Sequence, residues 1–378
     1  MKKLMVIAGE VSGDQHAARL VRDLRAIRPD IEITGIGGDA LRAEGARTLY
    51  DVAQMTLVGF TEVVRHLPFL RRVYRHLTGL MRSDRPDALL LVDYPGFNLR
   101  LARRAHALGI PVYYYISPQV WAWNRGRIPK MARILDLLMV IFPFEVDVFR
   151  HTGLRTVFVG HPLVESVRRF LAQPRQPLPW PTGDHRIALL PGSRSQEIKH
   201  ILPSMLEAAR ILREHHPAAS FLIPSASQTT RAQIERQLAG LPPGDRASIA
   251  VLDGNMREVL RQSRAAMVCS GTATLETALI KCPMIVVYRA TTLSYWIGRL
   301  LIRVPWLGMV NLIANRELCP EFIQYDARPA AMAGAIERLL ADTPERQAQL
   351  EGLEEIARIL EGHGDIPTAG QLVAEALN

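Results

Sequence analysis

With 378 residues the chain is longer than one hydrophobic core usually organises. Its 48% hydrophobic content, free of low-complexity tracts, fits two globular domains and excludes a fibrous or disordered protein. The net charge of +9 is lopsided: residues 1–175 hold 26 Lys and Arg against 16 Asp and Glu, whereas the remainder is nearly balanced. A basic first half, densest over 65–85, predicts anionic partners such as phosphorylated metabolites or a membrane surface.

The opening "MKKLMVIAGEVSGD" is too short an apolar run for a secretory signal and meets Glu10 and Asp14 at once. Cys269, Cys282 and Cys319 are odd in number and widely spaced, which predicts reduced thiols rather than a disulfide framework or a zinc site. In chain order, "KLMVIAG" reads as a strand, "GDQHAARLVRDLRAI" as a helix, and "IEITGIGG", "DALLLVDY", "PVYYYIS", "LDLLMVIF" and "TVFVG" as further strands. Strands spaced by helix-length segments predict a parallel, doubly wound sheet over 1–170. A proline-rich connection follows at 171–185. The alternation then restarts over 186–345 with "RIALLPGS", "SFLIPSA", "ASIAVLDG", "AAMVCSG" and "PMIVVYR". The charged helical tail 346–378 braces the first lobe or is exchanged between protomers of a homodimer. The fold class is therefore α/β, two Rossmann-like domains facing a cleft, with chemistry expected in the loops beyond the carboxyl ends of the strands.

Four of those loops stand out. In "LLPGSRSQEI", Gly192, Ser193 and Arg194 precede a helix start, where free N–H groups and a guanidinium suit phosphate; an ordinary strand-to-helix turn has similar composition. In "VCSGTATLE", Ser270, Gly271 and Thr272 allow close backbone approach, and Glu276 is either a ligand or a capping partner. Two such loops in one half point to a diphosphate, hence a nucleotide. In "AGEVSGD", Glu10, Ser12 and Asp14 crowd a turn too acidic for pyrophosphate, although Ser12 or Asp14 could equally cap the next helix. In "LLLVDYPGFN", Asp93 ends an apolar strand and Asn98 enters the next helix; a partly buried carboxylate there can take a proton from a hydroxyl. The chain has no DxD pair, HExxH, Walker loop or GxSxG elbow.

Together with "YYISPQVWAWNRGR", "FPFE", "VGHPLVE", "KCPMIVVYR" and "NLIANRELCPE", these motifs resemble, in order over roughly 5–322, the bacterial lipid A disaccharide synthases, inverting glycosyltransferases of the two-Rossmann (GT-B) fold. Where some relatives carry a second Asp in "DYPGFN", this chain has Gly96, leaving Asp93 as the motif's one carboxylate. The resemblance implies condensation of UDP-2,3-diacylglucosamine with 2,3-diacylglucosamine 1-phosphate (lipid X) to a β-1,6 tetra-acyl disaccharide 1-phosphate and UDP, without metal or cofactor. It places Gly192, Ser193, Arg194, Glu197, Ser270, Gly271, Thr272, Glu276, Asn311 and Glu317 on the UDP side. Asp93 is then the expected base, with Glu10 and Asp14 as further catalytic acids and Ser12 and Asn98 on the acceptor side.

The stretch "TLVGFTEVVRHLPFLRRVYRHL" also finds a use under this resemblance. Pro68 is expected to divide it into two helices, the second packing a stripe from Phe69 to Met81 on the sheet. Leu57, Val58, Phe60, Val63, Val64 and Leu67 are assigned to acyl-chain or membrane contact, and Arg65, Arg71, Arg72 and Arg75 to headgroups. The protein is thus expected in the cytoplasm, peripheral on the anionic inner-membrane face. Nucleic acid is disfavoured because the arginines share a helix with an apolar stripe and lack a stacking platform. A UDP-sugar epimerase or hydrolase leaves the greasy, basic stretch unexplained, and a silent nucleotide sensor makes Asp93 dispensable.

Overall fold

Parallel strands buried on both faces must be apolar throughout, and the central runs of this chain are. "ALLLV" forms a strand with every residue buried, and so does "AAMVC". The computed structural model describes all residues but 56–59, 182, 303, 363 and 378, and all side chains but those of these residues and of 60–66, 294 and 301. The chain divides into two units, residues 1–162 with 362–378, and residues 163–361.

In the first unit, β1 (Lys3–Ala8), β2 (Glu32–Gly37), β3 (Arg47–Asp51), β4 (Ala88–Val92), β5 (Val112–Tyr115), β6 (Leu137–Val140) and β7 (Arg155–Phe158) form a parallel sheet in the order β3-β2-β1-β4-β5-β6-β7. Its helices include α1 (Val11–Ile27), α2 (Asp39–Ala43), α3 (Phe60–Ser83) and α4 (Pro95–Ala107). The expected break at Pro68 does not occur: α3 runs through it as one helix. The proline forfeits one backbone hydrogen bond, and packing compensates. Val73, Leu77 and Met81 are buried on the sheet, with Phe69, Leu70, Tyr74 and Leu80 beside them. Arg71, Arg72 and Arg75 face solvent. Leu57, Val58 and the side chains of Phe60, Val63, Val64 and Arg65 lie outside the described residues.

In the second unit, β8 (His185–Leu190), β9 (Ala219–Ser225), β10 (Ile249–Asp253), β11 (Ala265–Cys269), β12 (Met284–Tyr288) and β13 (Glu321–Ile323) repeat the parallel plan as β10-β9-β8-β11-β12-β13. Helices α5 (Ser195–His215), α6 (Thr272–Leu279), α7 (Thr292–Leu301), α8 (Met309–Ala314) and α9 (Pro344–Glu361) belong to it. The unit begins at Leu163, ahead of the proline-rich 171–185. Of the tail expected as one segment, α9 stays with this unit, while α10 (Ala369–Ala376) joins the first. There α10 packs on α1 through Leu372 and Val373, and the Tyr113 hydroxyl donates to Ala376 O at 2.7 Å. The approach is close: a Cβ on Gly370 would fall 2.7 Å from Leu24 N and 2.8 Å from Leu20 O.

Candidate active site

In each sheet the strand order reverses beside its first strand, between β1 and β4 and between β8 and β11. Loops leaving adjacent strands in opposite directions open a crevice at that point, where ligands of doubly wound sheets bind. The first sheet's switch point carries Glu10 after β1 and Asp93 after β4. Asp93 and Tyr94 both hold left-handed backbone, with φ of 47° and 49°, and on the same edge Ile116 has φ of 66°. Such geometry is costly, above all for a β-branched residue, so the surroundings must enforce it. They do. The Asp93 carbonyl accepts from Asn98 Nδ2 at 2.7 Å and from the Tyr114 hydroxyl at 2.6 Å, and Asp93 N donates to Tyr115 O. Burial, and secondarily the charge of Glu10, raise the Asp93 carboxyl above its ordinary range. A half-buried, fixed carboxylate of raised pKa is suited to accept a proton from a hydroxyl.

The other acids of that motif fare differently. Glu10 and Ser12 are exposed at the start of α1. Asp14, expected among the catalytic acids, is buried, and both its oxygens are engaged by backbone: Gly38 N donates at 2.6 Å, Ala40 N at 3.1 Å and Leu41 N at 3.2 Å. It caps α2 rather than its own helix, so its carboxylate is committed to holding that helix start. Asn98 is fully buried and acts through the Asp93 backbone rather than by touching an acceptor.

In the second unit, the loops after β8 and β11 do come together. Gly192, Ser193, Arg194, Glu197, Ser270, Gly271 and Thr272 line one pocket of about 360 Å³, joined by Ser225 at the end of β9 and Gly254 just after β10. Two amides just ahead of α5, expected to face phosphate, are already engaged: Ser193 N and Arg194 N donate to Glu197 Oε2 at 2.9 and 3.1 Å, and Arg194 Nη1 to Oε1 at 3.0 Å. A carboxylate of the protein thus occupies the anion position at the helix start. Gly192, at φ of 114°, is required there, since a Cβ would lie 2.4 Å from Glu197 Oε2. The Ser270 hydroxyl donates to Leu307 O.

Three residues expected on the nucleotide side lie elsewhere. Asn311 is buried, its amide donating to Cys319 O and Glu321 Oε1 and its oxygen accepting from Leu318 N and Cys319 N. It pins the turn before β13 and has no capacity left for a ligand. Glu317 lines a separate hollow against α9. Glu276 does not cap its helix; its carboxylate pairs with Arg257 at 3.0 Å. Among the described residues, no group of three His, Cys, Asp or Glu is placed to hold a metal.

A profile of the lipid-A-disaccharide synthetase family matches residues 4–365. The chain belongs to that family. It is 42% identical over 355 residues to the lipid-A-disaccharide synthase of Anaeromyxobacter dehalogenans strain 2CP-1, covering 94% of this chain and 92% of the relative. To that of Myxococcus xanthus it is 38% identical over 377 residues, covering 99% and 97%. Among solved structures, the kitacinnamycin glycotransferase shares the fold at 16% identity, with a TM-score of 0.62 over 100% of this chain and 97% of that one. Neisseria meningitidis UDP-GlcNAc 2-epimerase does so at 12%, with a TM-score of 0.61 over 100% and 99%.

This synthetase-family chain also has a site that the motifs did not announce. Between α3 and α4, a groove of about 1130 Å³ is lined by Leu67, Leu70, Tyr74, Tyr94 and Phe97, with Arg71, Arg75, Arg100, Arg103 and Arg104 along it. Tyr74 and Phe97 meet edge to face at 6.3 Å. The α4 arginines were legible as "LRLARRA" right behind "DYPGFN", but only packing shows that they share a groove with α3.

Proposed function

We propose that this glycosyltransferase of lipid A biosynthesis takes UDP-2,3-diacylglucosamine as donor and 2,3-diacylglucosamine 1-phosphate as acceptor. The products are the β-1,6 tetra-acyl disaccharide 1-phosphate and UDP. The observation that carries the reading is Asp93, a carboxylate of raised pKa held on left-handed backbone at the β1/β4 switch point. Asp93 takes the proton of the acceptor 6-hydroxyl as that oxygen bonds the anomeric carbon from the face opposite the diphosphate. The carbon–oxygen bond to the diphosphate breaks, and its electron pair leaves on UDP.

The negative charge that develops on UDP meets Arg194, whose side chain is largely exposed, and the small-residue loop 270–272. Diphosphate binding displaces the Glu197 carboxylate from the Ser193 and Arg194 amides. The apolar groove of α3 and α4 takes an acyl chain of the acceptor, and its arginines take the 1-phosphate. Residues 57–66, with Arg72, rest on the anionic membrane surface. The α10 segment packs on α1 within one chain; exchange with a second copy would reuse that same interface.

The test is turnover of both diacylated substrates in detergent with EDTA, comparing wild type with Asp93→Ala. Disaccharide formation by wild type is expected, with a loss of roughly 10²–10⁴-fold in the variant and UDP still bound. No product from wild type overturns the substrates, and an active Asp93→Ala overturns the base.

A further inference from the structure

Helix α7 is inside out. Leu293, Trp296, Ile297 and Leu300 repeat at i, i+3, i+4 and i+7, the spacing of a face that normally packs on a core. Here they are 72%, 55%, 48% and 79% exposed, and the neighbouring Ile302 and Tyr325 extend the patch. The helix meets its own unit through Tyr295, edge to face with Tyr325 at 5.9 Å. A contiguous apolar surface of this kind on a soluble domain marks something that covers it.

Charge selects the occupant. Between Glu276 and Glu317 the chain has no Asp or Glu, while it holds Lys281, Arg289, Arg299, Arg303 and Arg316. Lys281 pairs with Glu354, Arg289 bonds Ser204, and Arg316 pairs with Glu355. Arg299 is exposed on α7 beside the stripe, and Arg303 follows two residues after the helix in sequence. A second copy of this face would bring like charges together, because a two-fold contact sets each patch against itself. An anionic bilayer meets both features: Trp and aliphatic side chains enter the acyl boundary while arginine stays among headgroups. Among the described residues no helix is long and apolar enough to cross a membrane, so the contact is one that lies on the surface.

We propose that α7 is a membrane-contact element of the second unit, lying in the plane of an anionic phospholipid bilayer through Leu293, Trp296, Ile297 and Leu300. Its purpose rests on the reading that the substrates are bilayer-borne, but the binding can be measured without catalysis. The experiment is sedimentation of the full chain with phosphatidylglycerol/phosphatidylethanolamine vesicles and with phosphatidylcholine vesicles. The proteins are wild type, the triple variant Leu293→Ser/Trp296→Ser/Leu300→Ser, and Arg299→Glu. Wild type is expected to prefer the anionic vesicles. The triple variant should lose roughly tenfold or more in partitioning, and Arg299→Glu should lose affinity for the anionic vesicles only.

Brominated phospholipid should quench wild-type tryptophan emission more than that of Trp296→Phe. Turnover in detergent micelles, which needs no bilayer, should be unchanged in every variant and certifies their folding. A triple variant that partitions like wild type, or equal quenching with and without Trp296, overturns the proposal. So does a variant that only dissociates a dimer, which would make the face a contact between copies. Lost micellar turnover with unchanged partitioning would assign α7 to donor acyl chains and overturn it too. If wild type binds vesicles but forms no disaccharide, the substrate reading fails and the membrane contact stands.

Discussion

Glu145 offers a test of the first unit's interior that requires no substrate. It sits just past β6, 1% exposed, with Oε1 accepting from Trp121 Nε1 at 3.1 Å and Oε2 from Phe142 N at 3.3 Å. These N–H groups and that of Ile141 do not repay the loss of water, so burial pushes its carboxyl up to about 8. Between the ordinary glutamate value near 4.5 and about 8, the folded protein keeps a proton that the unfolded chain has released. Stability from this group is therefore complete below the unfolded value and is lost as pH rises toward the folded one, at ~1.4 kcal/mol per unit. From about pH 5 to about pH 7.5 the loss is roughly 3 kcal/mol. For a unit of this size that corresponds to roughly 6–12 °C in Tm. Glu145→Gln removes the titration, so the assay is the difference in Tm between wild type and variant at several pH values across that window. The offset at any single pH is not diagnostic, because the glutamine amide can meet the Phe142 N–H donor to donor. Two Tm curves that stay parallel from pH 5 to 7.5 would show that Glu145 is ionised inside the fold and that the reasoning fails.

The other expectations address Asp93, Asn311 and the α3/α4 groove. Removing the Glu10 charge should lower the Asp93 pKa, so in Glu10→Gln the acid limb of the kcat/KM profile moves to lower pH with its plateau kept; an unmoved limb separates the two acids. Asn311→Ala strands several buried groups and should cost roughly 3 kcal/mol, read as a fall in Tm with UDP affinity unchanged; weaker UDP binding at unchanged Tm would return Asn311 to the nucleotide. Replacing Arg71, Arg75 and Arg103 together with Gln should raise the KM for the phosphorylated acceptor roughly tenfold or more while leaving UDP binding alone; an unchanged KM would empty the groove of its phosphate role.

Sequence patterning revealed every strand with an apolar run, the edge strands β7 and β10 included, and missed two other edge strands. β3 is "RTLYD", half-exposed and polar, and β13 is three residues long. An edge position permits polar residues and short pairing without requiring them, so β3 and β13 lack the apolar run that the edge strands β7 and β10 keep. The switch-point loops were equally legible, since small residues and carboxylates stood directly after apolar strands. What the sequence hid is the destination of individual polar atoms. Asp14 and Asn311 have the residue types of ligands, yet each is consumed by backbone groups, for Asp14 those of Gly38, Ala40 and Leu41 well away in sequence. Glu197 was read as a partner of the nucleotide, and it instead fills the amide cradle itself. Spacing cannot distinguish these cases, because the competing donors arrive only with tertiary structure.

The two units show how little the topology itself dictates. Both sheets reverse beside their first strand, and both place a loop pair at that crevice. In the first unit the pair holds carboxylates, and the left-handed turn at Asp93 and Tyr94 fixes one of them where burial raises its pKa. In the second the pair holds Gly, Ser and Thr with Arg194, and the one carboxylate present is bound to backbone amides. A helix start attracts negative charge whether it comes from a ligand or from the protein. The same physics that makes this loop a phosphate cradle therefore explains why Glu197 fills it when no ligand is present. Asp93 is different because its carbonyl is what accepts from Asn98 of α4 and from the Tyr114 hydroxyl of β5. The side chain is left with chemistry to do because the main chain carries the burden of holding it.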